Sequence, residues 1–217
     1  MTQRIAVALA LAAAVAGCVP NDASVRLAAL CSPPTPEKDT GCLYPAACET
    51  IFVGVLEANV ANTNTGGALV WPVQVDNQRD SNADRSGGAE TATAWIQGYE
   101  ISYASGDVTI PPTSVYISDS PVPPGGSSVV IVPILPPGVS TYLTATGLAA
   151  GAVARVTADV VARGRYGDGN SFETGPMKIV FSACNGCAAG FTACPAATPT
   201  LVGVCPQKGQ TAAAVCE

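Results

Sequence analysis

The sequence predicts an all-β protein, an antiparallel β-sandwich of seven or eight strands with disulfide-rich segments at both ends. Charged residues make up only 12% of the chain, whereas Gly (22) and Pro (18), which form turns, are abundant. Between residues 50 and 181, short apolar stretches alternate with clusters of turn-forming residues, which is typical of short strands. All nine cysteines lie outside residues 49–183. The cysteines therefore flank the predicted strands.

Residues 1–17 have the organisation of an export signal. Arg4 supplies a positive charge, and residues 5–15 form an apolar run too short to span a hydrocarbon core of ~30 Å. Val15-Ala16-Gly17-Cys18 resembles the lipobox of bacterial lipoproteins. The resemblance implies cleavage before Cys18, a diacylglycerol thioether on its sulfur and acylation of the new amino terminus. The alternative is an ordinary secretory leader with a chance cysteine.

The residue after Cys18 is Val19 rather than aspartate. By analogy with enterobacterial lipoproteins, this implies a lipid anchor in the outer membrane, on its periplasmic or its surface face. We expect residues 18–47 to form a lipid-anchored tether with cysteines, in which residues 25–30 could make one or two helical turns. The β-sandwich domain is then expected over residues 48–183 and a cysteine-rich tail over residues 184–217.

Strands are expected at residues 52–61, 69–75, 95–103, 115–117, 127–134, 141–146, 152–165 and 177–181. The pattern is clearest over residues 152–165, where small apolar side chains alternate with charged and polar ones. The apolar positions are Ala154, Val156, Ala158, Val160 and Ala162. A period of two with one apolar face indicates a half-buried antiparallel strand.

Three stretches of the central segment resemble fibronectin type III and immunoglobulin-like domains. Residues 96–103 (IQGYEISY) resemble the third strand of the fibronectin type, and residues 148–162 resemble its turn into the sixth strand. Residues 167–171 (GDGNS) resemble the turn that follows. The resemblance covers about residues 95–181 and implies an Ig-like or fibronectin type III-like β-sandwich. It departs at Val153, where the family has its corner tyrosine.

Eight cysteines remain if Cys18 carries lipid: Cys31, Cys42, Cys48, Cys184, Cys187, Cys194, Cys205 and Cys216. An even number in an exported protein predicts a disulfide framework. Three precede the central segment and five follow it, so complete pairing needs at least one bond between the two groups. Cys184-Asn185-Gly186-Cys187 could also be a thiol–disulfide exchange motif or half of a zinc site. We favour structural disulfides, because an oxidising compartment disfavours free thiols.

The chain contains no histidine, which excludes Ser–His and Cys–His nucleophiles and histidine metal ligands. We therefore expect a non-catalytic protein without a cofactor; an enzyme that uses carboxylates or the Cys184–Cys187 pair is the alternative. Removal of Arg4 with the leader leaves nine basic and 16 acidic residues, a formal charge of −7. Nucleic acid is thus a poor partner. The expected partners are the membrane, through Cys18, and another envelope protein.

Calcium binding is one alternative function of such a surface module. Asp80, Asn82 and Asp84 match the alternating oxygen donors of a calcium-binding loop. The match fails further along, because Arg85 replaces the glycine and Thr91 replaces the bidentate glutamate. A polar turn between strands explains the same composition.

Carbohydrate binding is the other alternative. Trp71, Trp95, Tyr99 and Tyr103 could form a platform on which sugars stack. Strict alternation places Trp95, Tyr99 and Tyr103 on one face of a strand. Because a shared face more often indicates core packing, we expect these three side chains to be buried.

Overall fold

The computed structural model describes residues 24–33, 35–37, 41–54, 56–61, 67–81, 90–186, 201–205 and 213–216. The strands in these ranges are β1 (Val25–Leu30), β2 (Thr35–Glu37), β3 (Gly41–Leu43), β4 (Leu56–Asn59), β5 (Leu69–Asn77), β6 (Ala94–Ala104), β7 (Thr113–Val122), β8 (Gly126–Leu135), β9 (Val153–Tyr166), β10 (Ser171–Glu173), β11 (Met177–Cys184), β12 (Leu201–Cys205) and β13 (Ala213–Cys216). One short helix, α1 (Pro137–Tyr142), continues into a π-helical turn at Leu143–Gly147. The predicted all-β class is confirmed.

Two sheets form the body of the protein. The smaller sheet has the order β1-β5-β8, and all of its pairs are antiparallel. The larger sheet has the order β4-β11-β9-β6-β7, and β10 adds to β9 beside β11. Only the β4–β11 pair is parallel in this larger sheet. Two small hairpins, β2–β3 and β12–β13, complete the described strands.

A single buried cluster includes apolar residues from both sheets, so the core lies between them. In β9, Ala154, Val156, Ala158, Val160 and Ala162 are all fully buried, as the alternating pattern predicted. The smaller sheet contributes the inward side chains of β5 and β8. The small alanines leave room for the large side chains of the facing sheet, which gives a closely packed core.

Polar side chains connect the two sheets at the margins of the core. The Tyr103 hydroxyl on β6 donates to the Ile134 carbonyl on β8 (3.0 Å). The buried Asn77 side chain at the end of β5 donates to the carbonyls of Ala92 (2.9 Å) and Val122 (3.1 Å). These hydrogen bonds satisfy buried carbonyl groups and fix how the sheets face each other.

An acidic side chain links the three strands of the smaller sheet. Asp76 on β5 accepts hydrogen bonds from Arg26 on β1 (2.9 Å), from Ser127 on β8 (2.8 Å) and from Gln74 (2.8 Å). Partial burial raises the pKa of Asp76, but these hydrogen bonds and the Arg26 charge outweigh burial and hold the pKa below its usual value. The ionised carboxylate is therefore the form that joins the strands.

Two local predictions were wrong. Residues 25–30, for which helical turns were considered, form β1, so a part of the expected tether belongs to the smaller sheet. Residues 141–146, expected as a strand, are helical, because Pro137 starts a helix and Val139 and Leu143, four residues apart, are buried on one face. The threonines that suggested alternation instead donate to carbonyls one turn back, as Thr141 does to Pro137 (3.0 Å).

Cys31 and Cys48 form a disulfide, which confirms one bond of the predicted framework. The bond closes a loop that contains the β2–β3 hairpin. That hairpin contacts the β12–β13 hairpin near the end of the chain, so the two cysteine-bearing segments meet. Cys42 lies on β3, and the bond between the two cysteine groups that parity requires stays a prediction.

Candidate functional site

Several of the functional residues predicted from the sequence lie outside the described residues. These are Cys18 and the rest of the lipobox, the disulfide candidates Cys187 and Cys194, and the calcium candidates Asn82 and Asp84. The third calcium candidate, Asp80, is described and exposed. The structure therefore leaves the lipid anchor and the calcium loop as predictions.

Cys184, the first residue of the CxxC motif, is fully buried at the end of β11 and forms a disulfide. Its carbonyl accepts a hydrogen bond from Val60 N–H (2.8 Å), which fixes the backbone there. Thiol–disulfide exchange requires an accessible sulfur and a thiolate. The Cys184 sulfur is buried and disulfide-bonded, so it is not an accessible free thiol.

Three of the four aromatic candidates for a sugar platform are in the core. Trp71 and Tyr99 are fully buried, and Tyr103 packs against the core cluster. The Trp71 indole N–H donates to the Cys31 carbonyl (2.9 Å), and the Phe52 ring lies 5.0 Å from the Trp71 ring. These side chains are therefore structural.

Trp95 faces the other way, so its expected place beside Tyr99 and Tyr103 was wrong. The register of β6 shifts between Ile96 and Gly98 against both neighbouring strands. This bulge places one extra residue in the strand, which reverses the alternation before it. Trp95 is consequently 38% exposed on the outer face of the larger sheet, whereas Tyr99 points into the core.

The same bulge borders a groove on the outer face of the larger sheet. The groove has a volume of about 620 Å³ and crosses four strands in the order β7–β6–β9–β10. Its lining residues are Gln97, Gly98, Tyr99, Glu100, Ser114, Val115, Tyr116, Arg163, Gly164, Arg165, Ser171, Phe172 and Glu173. Three interstrand spacings give it a length of about 14 Å.

The floor of the groove is low because Gly98 has no side chain. Gly98 pairs with Tyr116 on β7 and with Arg163 on β9, so these two side chains flank the empty position. A Cβ atom on Gly98 would lie 2.6 Å from the Val115 carbonyl oxygen, so the close approach of β7 requires glycine here. The bulge and the glycine together leave a depression on the outer face of the larger sheet.

The walls of the groove are polar, with one exposed aromatic side chain. Arg163 forms ion pairs with Glu100 on β6 and with Glu173 on β10 (3.1 Å). Tyr116 stands on the opposite side of Gly98 and is 88% exposed. One wall of the groove therefore carries charged groups that can form hydrogen bonds and whose charges are paired. The other wall presents the exposed ring of Tyr116.

Local sequence patterns do not reveal this site. The available signal was a glycine inside a strand pattern, which often marks a bulge or a close backbone approach. Tyr116 and Arg163 are 47 residues apart, and only the order of the strands brings them to the two sides of Gly98.

Within the described ranges, no group of three or more acidic or cysteine side chains is placed to hold a metal ion. No helix in the described part of the chain is long and apolar enough to cross a membrane. No protein-family model matches the chain, and a search of curated proteins finds no similar sequence. The proposals below therefore rest on the residues of this chain.

Proposed function

We propose that the protein is a lipid-anchored, non-catalytic module of the bacterial outer membrane that binds a partner in the cell envelope. The observation that carries this proposal is the sequence Val15-Ala16-Gly17-Cys18 at the end of an export signal. Cleavage and acylation at Cys18 would attach several acyl chains, and two or more chains make an anchor durable. The tether would then hold the folded body close to the membrane.

We also propose that this body is an Ig-like or fibronectin type III-like sandwich. The strand order supports this, because β8 returns to lie beside β5 while β6, β7, β9 and β11 belong to the other sheet, as in a Greek key. β1 and β4 precede β5 on opposite sheets. The departure from the family pattern is at Val153, which stands where the family has its corner tyrosine and is 60% exposed.

Two features support a binding role rather than a catalytic one. The chain has no histidine, the commonest general base, and the buried Cys184 is held in a disulfide and not as a free thiol. The groove beside Gly98 instead offers fixed polar groups on paired strands. Rigid strands hold such groups in place, which suits recognition.

The anchor is tested by mass spectrometry of the protein purified from cell envelopes. We expect the chain to begin at Cys18 with a diacylglycerol group on sulfur and an acyl group on nitrogen, and to fractionate with the outer membrane. Val19→Asp is the matched variant, since aspartate at this position is expected to move the protein to the inner membrane. An uncleaved leader with an unmodified sulfur would refute the proposal.

A further inference from the structure

We propose that the groove beside Gly98 binds a neutral saccharide, with the exposed Tyr116 ring as its stacking surface. This names the partner class for the proposed envelope module, but it depends on the folded domain and not on the anchor. The supporting features are the shape of the groove, the chemistry of its walls and the pairing of its strands.

The size of the groove suits a short stretch of a saccharide chain. A volume of about 620 Å³ lies within the usual range of small-ligand sites, and the groove is open along its length. Its floor is made by backbone at Gly98, which lets a ligand approach the sheet closely. An open, elongated groove can accept sugars within a polymer, whereas an enclosed cavity would accept only a small molecule.

The two walls match the two faces of a sugar. A pyranose ring has a face of C–H groups, which packs on the electron-rich face of an aromatic ring such as Tyr116. Its hydroxyls need donors and acceptors in fixed positions, and Arg163, Glu100 and Glu173 hold one another in place through ion pairs. Gln97, Ser114 and Ser171 add neutral polar groups.

The charges of the lining favour a neutral ligand. Arg163 and Arg165 are balanced by Glu100 and Glu173, so the lining has no formal net charge. The chain without residues 1–17 has nine basic and 16 acidic residues, a formal charge of −7, which disfavours anions. An acidic polysaccharide or a phosphate group would therefore find no net attraction here.

A peptide strand is a poorer fit than a saccharide. Peptides that bind to sheets usually add to a free strand edge through backbone hydrogen bonds. The two central strands of the groove have both edges paired, because β6 pairs with β7 and β9, and β9 pairs with β6 and β10 there. A peptide could add only at the outer edge of β7 or β10, at the two ends of the groove and not on its floor. The groove also runs across the strands rather than along an edge.

The test is a binding titration with the protein purified from cell envelopes, in a detergent whose headgroup is not a sugar. The probes are cellohexaose, maltohexaose and chitohexaose, which are neutral, and hexagalacturonate, which is anionic. We expect at least one neutral probe to bind, with hexagalacturonate much weaker. Binding by none of the neutral probes, or by hexagalacturonate alone, would overturn the proposal.

Variants at Tyr116 locate the site. Tyr116→Ala should weaken the binding of the neutral probe about tenfold, and Tyr116→Phe, which keeps the ring face, should leave it within about threefold. Tyr142→Ala is the matched control, because Tyr142 is an exposed tyrosine on α1 outside the groove lining, and it should bind like the wild type. Unchanged binding by Tyr116→Ala would place the saccharide elsewhere and refute the assignment.

Failure of this proposal and failure of the proposed anchor can be distinguished. If Cys18 is not acylated, the purified protein can still be titrated, and the groove gives the same result. If the probes do not bind while Cys18 is acylated, the envelope location stands and only the ligand class is wrong.

Discussion

The buried hydroxyl of Tyr99 leads to a stability prediction whose sign is unusual. Tyr99 is 1% exposed, and among the described residues its hydroxyl is the one buried side-chain polar atom without a hydrogen-bond partner. Burial accordingly raises the pKa of its phenol well above the ordinary value of 10.0. An unpartnered buried polar group costs about 1–3 kcal/mol. We expect Tyr99→Phe to raise the free energy of unfolding by about 1 kcal/mol, since the ring keeps its packing.

Tyr103, four residues further along β6, provides the matched control. Its hydroxyl donates to the Ile134 carbonyl at 3.0 Å. Tyr103→Phe removes this hydrogen bond and leaves a carbonyl without its donor, so it should lower the free energy of unfolding by about 1 kcal/mol. The same chemical change on the same strand is thus expected to act in opposite directions.

Urea denaturation of the oxidised protein at neutral pH, followed by tryptophan fluorescence, measures both variants. Thermal unfolding gives an independent check, because 1 kcal/mol corresponds to a change of about 2–4 °C in Tm for a domain of this size. In urea, the slope of the free energy of unfolding against urea concentration should be the same in both variants and the wild type. The urea midpoints then report the differences in stability. A destabilised Tyr99→Phe protein would show that the hydroxyl has a partner, and the reasoning from burial would be incorrect.

Three further predictions concern the disulfide, a close contact and the acid range. Replacing Cys31 and Cys48 together by serine should lower the free energy of unfolding by about 3 kcal/mol, because the bond closes a loop with a sequence separation of 17. Urea denaturation measures this difference, and a double variant as stable as the wild type would contradict the prediction. Gly164→Ala should reduce Tm by several degrees, because its Cβ would lie 2.0 Å from the Trp95 carbonyl oxygen, whereas Gly175→Ala, with no atom within 4 Å, should not. In acid, the pKa of Asp76 decides the outcome, because folding lowers it. The stabilisation that the Asp76 carboxylate gives the folded state is therefore complete above the unfolded-state pKa, and it is lost as pH falls through the folded-state pKa. Asp76→Asn should therefore flatten the dependence of stability on pH in the acid range, and an unchanged pH profile would count against the role given to the carboxylate.

The sequence by itself determined the class of fold and several of its strands. Local alternation was sufficient for β9, because one face of a half-buried strand must be apolar whatever its neighbours are. Cysteine placement predicted a disulfide framework, of which the Cys31–Cys48 bond is observed. The export signal predicted at residues 1–17 likewise rests on a local pattern, a positive charge followed by a short apolar run.

Only the tertiary structure decided which residues meet at the groove. A one-residue bulge in β6 reversed the facing of Trp95, and periodicity cannot reveal where an extra residue is inserted between paired strands. Residues 25–30 became a strand because β5 offered an edge for pairing, although a helix was compatible with the local sequence. Tyr116 and Arg163 face each other across Gly98 because β7 and β9 are both paired to β6, and strand order depends on the whole chain.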